Sequence, residues 1–210
     1  PIVRDKVQSK LNEFREYTML NPRQFAGMIG FTNEEVEELC TQHGLSKDEC
    51  KRWYNGYNLN GTHIYNSHSV VCALLDKKCR NNWSTTGSFE AISDYIKLNF
   101  EGIRNDVVSM LAGERIDVEV TSFTNTLNDF KGKDDVFTYL IHLGYLTYDE
   151  DEMKCYIPNE EIRQEWIKAV KFNYDYNKLM TVINTSKKLL DDTINGNEVA
   201  VAKALDAAHC

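Results

Sequence analysis

The residues best suited to touch a ligand form two short runs. Trp53-Tyr54-Asn55-Gly56-Tyr57-Asn58 places three aromatic rings around one glycine, and Trp83-Ser84-Thr85-Thr86 is a polar stretch led by an indole. Rings on a loop can stack on a nucleotide base or dock a neighbouring domain. They can equally bury their area as a structural plug, the reading that their size favours. Tyr65 and Asn66 have the same two readings, with Asn66 serving simply as a helix cap. Thiols and imidazoles offer less. Cys40 with His43 and Cys50, or His63 with His68, can be drawn as a metal cluster, but neither follows zinc-ligand spacing. The acidic run Asp149-Glu150-Asp151-Glu152 lacks the glycine and terminal glutamate of a calcium loop and reads as a solvated turn.

Other reaction chemistry has no motif here. The chain has no G-x-x-x-x-G-K-S/T loop to cradle phosphates, no G-x-S-x-G elbow and no H-E-x-x-H pair. His142 falls within an apolar helical pattern and reads as a packing residue. The expectation is therefore a chain with no catalytic residue, no metal ligand and no cofactor of its own.

Composition narrows the class further. The 210 residues carry 24 Lys plus Arg against 32 Asp plus Glu, a formal charge of −8. That balance argues against a general nucleic-acid or anionic-membrane binder. Hydrophobic residues make up 42% and charged residues 27%, the proportions of a globular protein. Three prolines and eleven glycines fall below average usage of about 5% and 7%, so regular elements should dominate. The longest apolar run, Val70 to Leu75, is far shorter than the roughly 20 residues of a membrane span. Six cysteines at irregular spacing, without a C-x-x-C pair, suit reduced thiols in a cytoplasmic protein.

The elements that must position these residues are legible from caps and periodicity. Val7, Leu11 and Phe14 suggest a short opening helix, and Asn21-Pro22 a turn. Thr32 with Glu35 forms a capping box for a helix that buries Val36, Leu39 and Cys40 and ends at Gly44. Ser46 with Glu49 opens a second helix toward Trp53, and Asn60-Gly61 marks a tight turn. Further helices start at Asn66 or Ser67, burying Val70, Val71, Leu74 and Leu75, and at Ser88, and a shorter one over 105–112 ends at Gly113. Ile116, Val118 and Val120 alternate with acids as a half-buried strand.

The last third reads as a helix on Val136, Phe137, Leu140 and Ile141, a hairpin over 145–157, and a helix capped by Asn159. Glu160 and Glu161 suit the positive end of that last helix, with Ile162, Trp166, Ala169, Val170 and Asn173 on its inner side. Helix, hairpin and helix in this order give a winged-helix-like unit. The helix 160–172 is one candidate for DNA contact, but its charges cancel and the hairpin turn is acidic, which argues against phosphate binding. A helical hairpin over about 177–192 and 198–210 turns at Asn195-Gly196. Its apolar spacing runs to the final residue without a stop signal, which reads as an excerpt from a longer chain.

The fold expected is thus mostly α, with helical hairpins and a small winged-helix-like α+β subdomain. The divisions are a lead-in over 1–30, a helical subdomain with one short strand over 31–120, the winged-helix-like unit over 121–172, and a hairpin over 173–210.

Seven segments in order carry a family resemblance: Phe31 to Val36, Trp53 to Asn58, Ile64 to Ser67, Asn82 to Thr86, Leu111 to Ile116, His142 to Thr147, and Ile157 to Glu161. Over about residues 19–172 the series resembles the C-terminal half of the bacterial "predicted AAA-ATPase" family. Members typically carry an N-terminal P-loop core, then this helical and winged-helix-like region, often followed by a PD-(D/E)XK nuclease-like domain. The Walker motifs and the nuclease carboxylates would lie outside this sequence, so no catalytic residue carries over. The resemblance implies a lid or relay region that packs on its own ATPase core and C-terminal domain, with ATP and Mg belonging to the parent chain. On that reading Arg115 and Arg163 are candidates for phosphate contact. Trp53, Tyr54, Tyr57, Tyr65, Asn66, Trp83 and Thr85 are candidates for packing on the core. The alternative is a stand-alone protein–protein interaction module that uses the aromatic loop as its patch.

Overall fold

Capping chemistry fixes most helix starts. In the computed structural model, which describes residues 17–83, 89–97, 100, 102–121, 130–172 and 185–208, both halves of the Thr32–Glu35 box are made. The Glu35 amide donates to Thr32 Oγ1 at 3.3 Å and the Thr32 amide to Glu35 Oε2 at 2.8 Å. This starts α1 (Asn33–His43), which Gly44 ends. Ser46 accepts from the Glu49 amide to start α2 (Lys47–Tyr54). Asn66 accepts from the Ser69 amide to start α3 (Ser67–Asp76).

Between α2 and α3, residues anticipated only as a structured loop with a tight turn form a β-hairpin. β1 (Tyr57–Leu59) pairs antiparallel with β2 (Thr62–Ile64), joined by Asn60 and Gly61, both at positive φ. That is the geometry an Asn-Gly turn selects. Three-residue strands are too short to leave a periodicity in the sequence.

Next come α4 (Phe89–Ile96), α5 (Ile103–Ala112) and the short strand β3 (Ile116–Asp117). Then α6 (Lys133–His142), β4 (Thr147–Asp149), β5 (Lys154–Tyr156) and α7 (Glu160–Phe172) complete the described body. The second sheet has the order β3-β5-β4, all antiparallel, with Cys155 opposite both Ile116 and Tyr148. The chain is mostly α-helical with two small antiparallel sheets. The strand placed within 31–120 thus has its sheet partner in 121–172.

In this arrangement α6, not α7, is the helix that leads into the β4–β5 hairpin, the position from which a winged helix reads a groove. Residues Asp135 to Ile141 of α6 are buried without interruption. The other helix, 160–172, which the sequence offers for DNA contact, turns Glu161, Ile162, Glu165, Trp166, Ala169 and Val170 inward.

Two apolar clusters follow from this layout. The larger joins Tyr57, Leu59 and Ile64 of the first hairpin to α4, α5, α6, the second sheet and α7 around Trp166. The smaller holds α1, α2 and α3 together on Val36, Cys40, Cys50, Tyr54, Tyr65, Val70 and Cys79. Cys40 is buried as its spacing predicts, whereas Cys72 is half-exposed. Cys50 and Cys79 bring their Sγ atoms to 3.6 Å as free thiols.

A helix over 185–194 (α8), a turn at Asn195-Gly196 and α9 (Glu198–Ala208) form the expected C-terminal hairpin. Leu190, Ile194 and Val199 on it are exposed. The opening helix on Val7, Leu11 and Phe14, the cap at Ser88, and residues 177–184, Asn173 and Cys210 lie outside the described residues. No helix among the described residues is long and apolar enough to cross a membrane.

Candidate functional site

The short motifs that looked separate along the sequence meet at one junction between the two clusters. α2 delivers Tyr54 into it, and the turn after α2 brings Gly56 against the chain at Pro158. Gly56 has φ +109°, and a Cβ there would lie 1.9 Å from the Pro158 carbonyl oxygen. Only glycine permits both that conformation and that approach. Tyr57 then reaches across to donate from its hydroxyl to the Gly144 carbonyl at 3.0 Å. The Asn58 amide donates to Thr147 Oγ1 at 2.8 Å. The first hairpin is thereby fastened to the second sheet through residues of two distant motifs.

Tyr65 and Asn66 close the other side. Tyr65 exchanges backbone hydrogen bonds with Phe31, and its hydroxyl donates to Asn33 Oδ1 at 3.0 Å. The Asn66 amide donates to the Tyr54 carbonyl while its side chain caps α3. Tyr54 Oη accepts from the Arg80 amide at 2.8 Å and donates to the Arg80 carbonyl at 2.9 Å, which pins the segment after α3.

At the centre stands a residue that the sequence assigned only to the helix dipole. Glu161 is 0% exposed. Its Oε1 accepts from the Asn82 amide at 2.7 Å and the Trp83 amide at 3.0 Å. Ser69 Oγ lies 2.9 Å from Oε1 and 2.8 Å from Oε2. One turn further along α7, Glu165 is also fully buried. Its Oε1 accepts from Asn81 Nδ2 and Lys168 Nζ, both at 2.6 Å. Burial raises the Glu161 carboxyl above the usual carboxylate range, because loss of water outweighs the lowering by its amide and hydroxyl donors. Burial likewise pushes the phenols of Tyr54 and Tyr57 up, and that of Tyr65 up to about 12. All three therefore act as neutral hydrogen-bonding groups. The Cys50 and Cys79 thiols are raised by the same cause, which keeps them protonated and weakly nucleophilic.

Trp83 packs edge-on against Tyr145 at 5.6 Å, and Trp166 Nε1 donates to the Tyr145 carbonyl at 2.9 Å. Trp53 is half-buried, with the Arg52 guanidinium 5.8 Å from its ring. Thus Tyr54, Tyr57, Tyr65, Asn66 and Trp83 are brought together with Trp53 at their edge, and the three tyrosine rings are buried. Thr85 lies outside the described residues.

The two arginines stand apart from this junction. Arg115 bonds Asp149 at 3.2 Å and Glu152 at 2.8 Å at the tip of the β4–β5 hairpin, and lies 4.4 Å from the centre of the Tyr156 ring. Arg163 donates to the Leu111 carbonyl at 3.3 Å and sits 4.0 Å from Glu160. Both cations have oxygen partners within the chain. Among the described residues no three His, Cys, Asp or Glu side chains are arranged to hold a metal.

Sequence reasoning found the ring-bearing half of the junction and missed its acidic centre. Ser69 and Glu165 lie in none of the seven ordered segments, and Asn82 and Glu161 stand at the edges of two of them without a role of their own. The one available signal was that Glu161 and Glu165 share the inner stripe of α7 with Ile162, Trp166 and Ala169, given a spacing of four.

No family model matches the chain, and no solved structure matches it. The chain is 30% identical over 67 residues to a protein of Azotobacter chroococcum mcd 1 described as "Uncharacterized protein in vnfD 5'region". That stretch is 31% of this chain and 13% of the relative, so the similarity covers a small part of a considerably longer protein.

Proposed function

We propose that this chain is a non-catalytic accessory region of an AAA-ATPase-like protein. It packs as a lid on a P-loop core and relays the state of that core to a C-terminal nuclease-like effector. One observation carries the reading most directly. The ordered motifs spend their side chains on each other, so that Gly56, Tyr57, Asn82, Trp83, Gly144 and Glu161 tie two subdomains into a single body. A body of that kind transmits motion without needing its own reactive groups. The greater length of the relative is in keeping with a region embedded in a larger chain.

A stand-alone interaction module is the second reading, and the apolar side chains Met28, Ile29 and Leu75 on the surface favour it. The aromatic loop is less suited to be its patch, because Tyr54 and Tyr57 are buried. A DNA-reading role has less in its favour, because Val136 to Ile141 of α6 are all buried and the hairpin tip is acidic.

Calorimetric titration of the 210-residue chain with Mg–ATP tests the first reading. The expected result is no saturable binding by the chain alone. Nucleotide-sensitive protection of its surface from hydrogen exchange should appear once the chain is joined to an upstream P-loop segment. Tight ATP binding or turnover by the isolated chain would overturn the proposal. A parent gene without G-x-x-x-x-G-K-S/T would select the interaction module.

A further inference from the structure

Glu161 holds a carboxyl group away from water, and the environments of its two oxygens differ. Oε1 receives two backbone amides, from Asn82 and Trp83. An amide N–H can only donate, so Oε1 must act as an acceptor. Among the described residues Oε2 meets only Ser69 Oγ, at 2.8 Å; that hydroxyl also lies 2.9 Å from Oε1, to which its own proton can turn, and a hydroxyl can both donate and accept. A proton on Oε2 would therefore find an acceptor without disturbing either amide.

The surrounding charges do not oppose such a proton. Among the described residues no Lys or Arg forms an ion pair with Glu161. On its own helix stand Glu160, which faces Arg163, and Glu165, which takes Lys168 for itself. From α2 and β1 it faces the phenols of Tyr54 and Tyr57. The segment after α3 brings Cys79 near Tyr54, and its Arg80 pairs with Asp76. On α3, His68 is exposed and contacts Cys72. α4 packs against α7, and its Asp94 is exposed and paired with Lys97. α5 offers Asp106, which is bonded to Lys133.

We propose that Glu161 is a proton-uptake site: Oε2 takes a proton and donates it to Ser69 Oγ, while Oε1 keeps the two loop amides, so that docking of residues 81–83 on α7 is linked to a proton. The site is a pH-responsive joint between the two subdomains, and it stands on the junction alone, whatever the chain docks to. The direction follows from linkage. A carboxyl raised in the folded state adds stability that is full below its unfolded value and is lost as pH rises through its folded value. Within that window the folding equilibrium should change by up to about tenfold per pH unit.

Carbon-13 NMR of the glutamate-labelled 210-residue chain, titrated from acid to neutral pH, tests this. One carboxyl should titrate above the others, and Glu161→Gln should abolish that signal. The stability of the wild type against urea should fall with rising pH across the same window, and the Gln variant should lose that slope. The variant should also match or exceed wild-type stability at neutral pH, since its amide can donate to Ser69 while its carbonyl accepts from the loop. Glu161→Ala should be markedly less stable than either. Titration of Glu161 with the ordinary glutamates overturns the proposal, and the wild-type spectrum reports it even if a variant fails to fold. Equal destabilisation by Gln and Ala would overturn it as well.

Discussion

Two acidic regions of this molecule solve the same electrostatic problem in opposite ways. At the β4–β5 tip, half-buried Asp149 and exposed Glu152 are gathered by an exposed Arg115. At the junction, Glu161 is fully buried, and two amides and a hydroxyl bond it instead of solvent. Exposed pairs contribute modestly, because solvent screens them and long side chains lose rotamer freedom. Buried polar groups matter far more, because removing one partner leaves another without water or a bond. Charge counts in the sequence treat the two regions alike, and burial separates them.

The contrast can be broken most forcefully at the apolar floor of the junction. Trp166→Ala should cost about 3–5 kcal/mol, through lost packing and an orphaned Tyr145 carbonyl. Chemical denaturation would read it, and a loss below about 1 kcal/mol would mean that the core collapses around the gap. Gly56→Ala should cost roughly 3 kcal/mol, since an L residue is strained at φ +109° and its Cβ must displace the Pro158 backbone. The loss should appear as a lowered melting temperature.

Smaller effects sharpen the comparison from both sides. Asn159→Ala removes the side chain that accepts from the Ile162 amide at 3.0 Å, and should cost about 1 kcal/mol by circular dichroism melts. Arg115→Ala, at the exposed end, should cost about 1 kcal/mol or less. That small cost should shrink further in high salt, whereas the junction variants should be insensitive to salt. A salt-independent loss of several kcal/mol at Arg115 would erase the distinction between the two regions.

Local chemistry made much of the fold legible. Thr32 with Glu35, Asn66 and Asn159 announce helix starts because a cap needs only neighbours within three residues. The helix faces on Val36 and Cys40, and on Ile162, Trp166 and Ala169, follow from spacing in the same way. The β1–β2 hairpin was legible only as its turn. The pairing of β3 with β5 was not legible, because it joins Ile116 to Cys155 across the whole of α6. At the site, the aromatic residues announced themselves by type. Glu161 did not, because a glutamate in a first helical turn has an ordinary explanation in the dipole.

By itself, then, the sequence determined a mostly helical chain, many of its caps, the inner faces of α1 and α7, and the lack of any phosphate loop within it. These depend on residue types and on neighbours close along the chain. On α3 the spacing puts Val71 and Leu75 inside with Val70 and Leu74, whereas Val71 and Leu75 are exposed. Only the tertiary structure decided which carboxylate faces water, which glycine must remain glycine, and which strands share a sheet. Each of those is set by a partner dozens of residues away: Ser69, Asn82 and Trp83 against Glu161, Pro158 against Gly56, and Cys155 against Ile116. Desolvation and close packing act through space, and distance along the chain does not encode them.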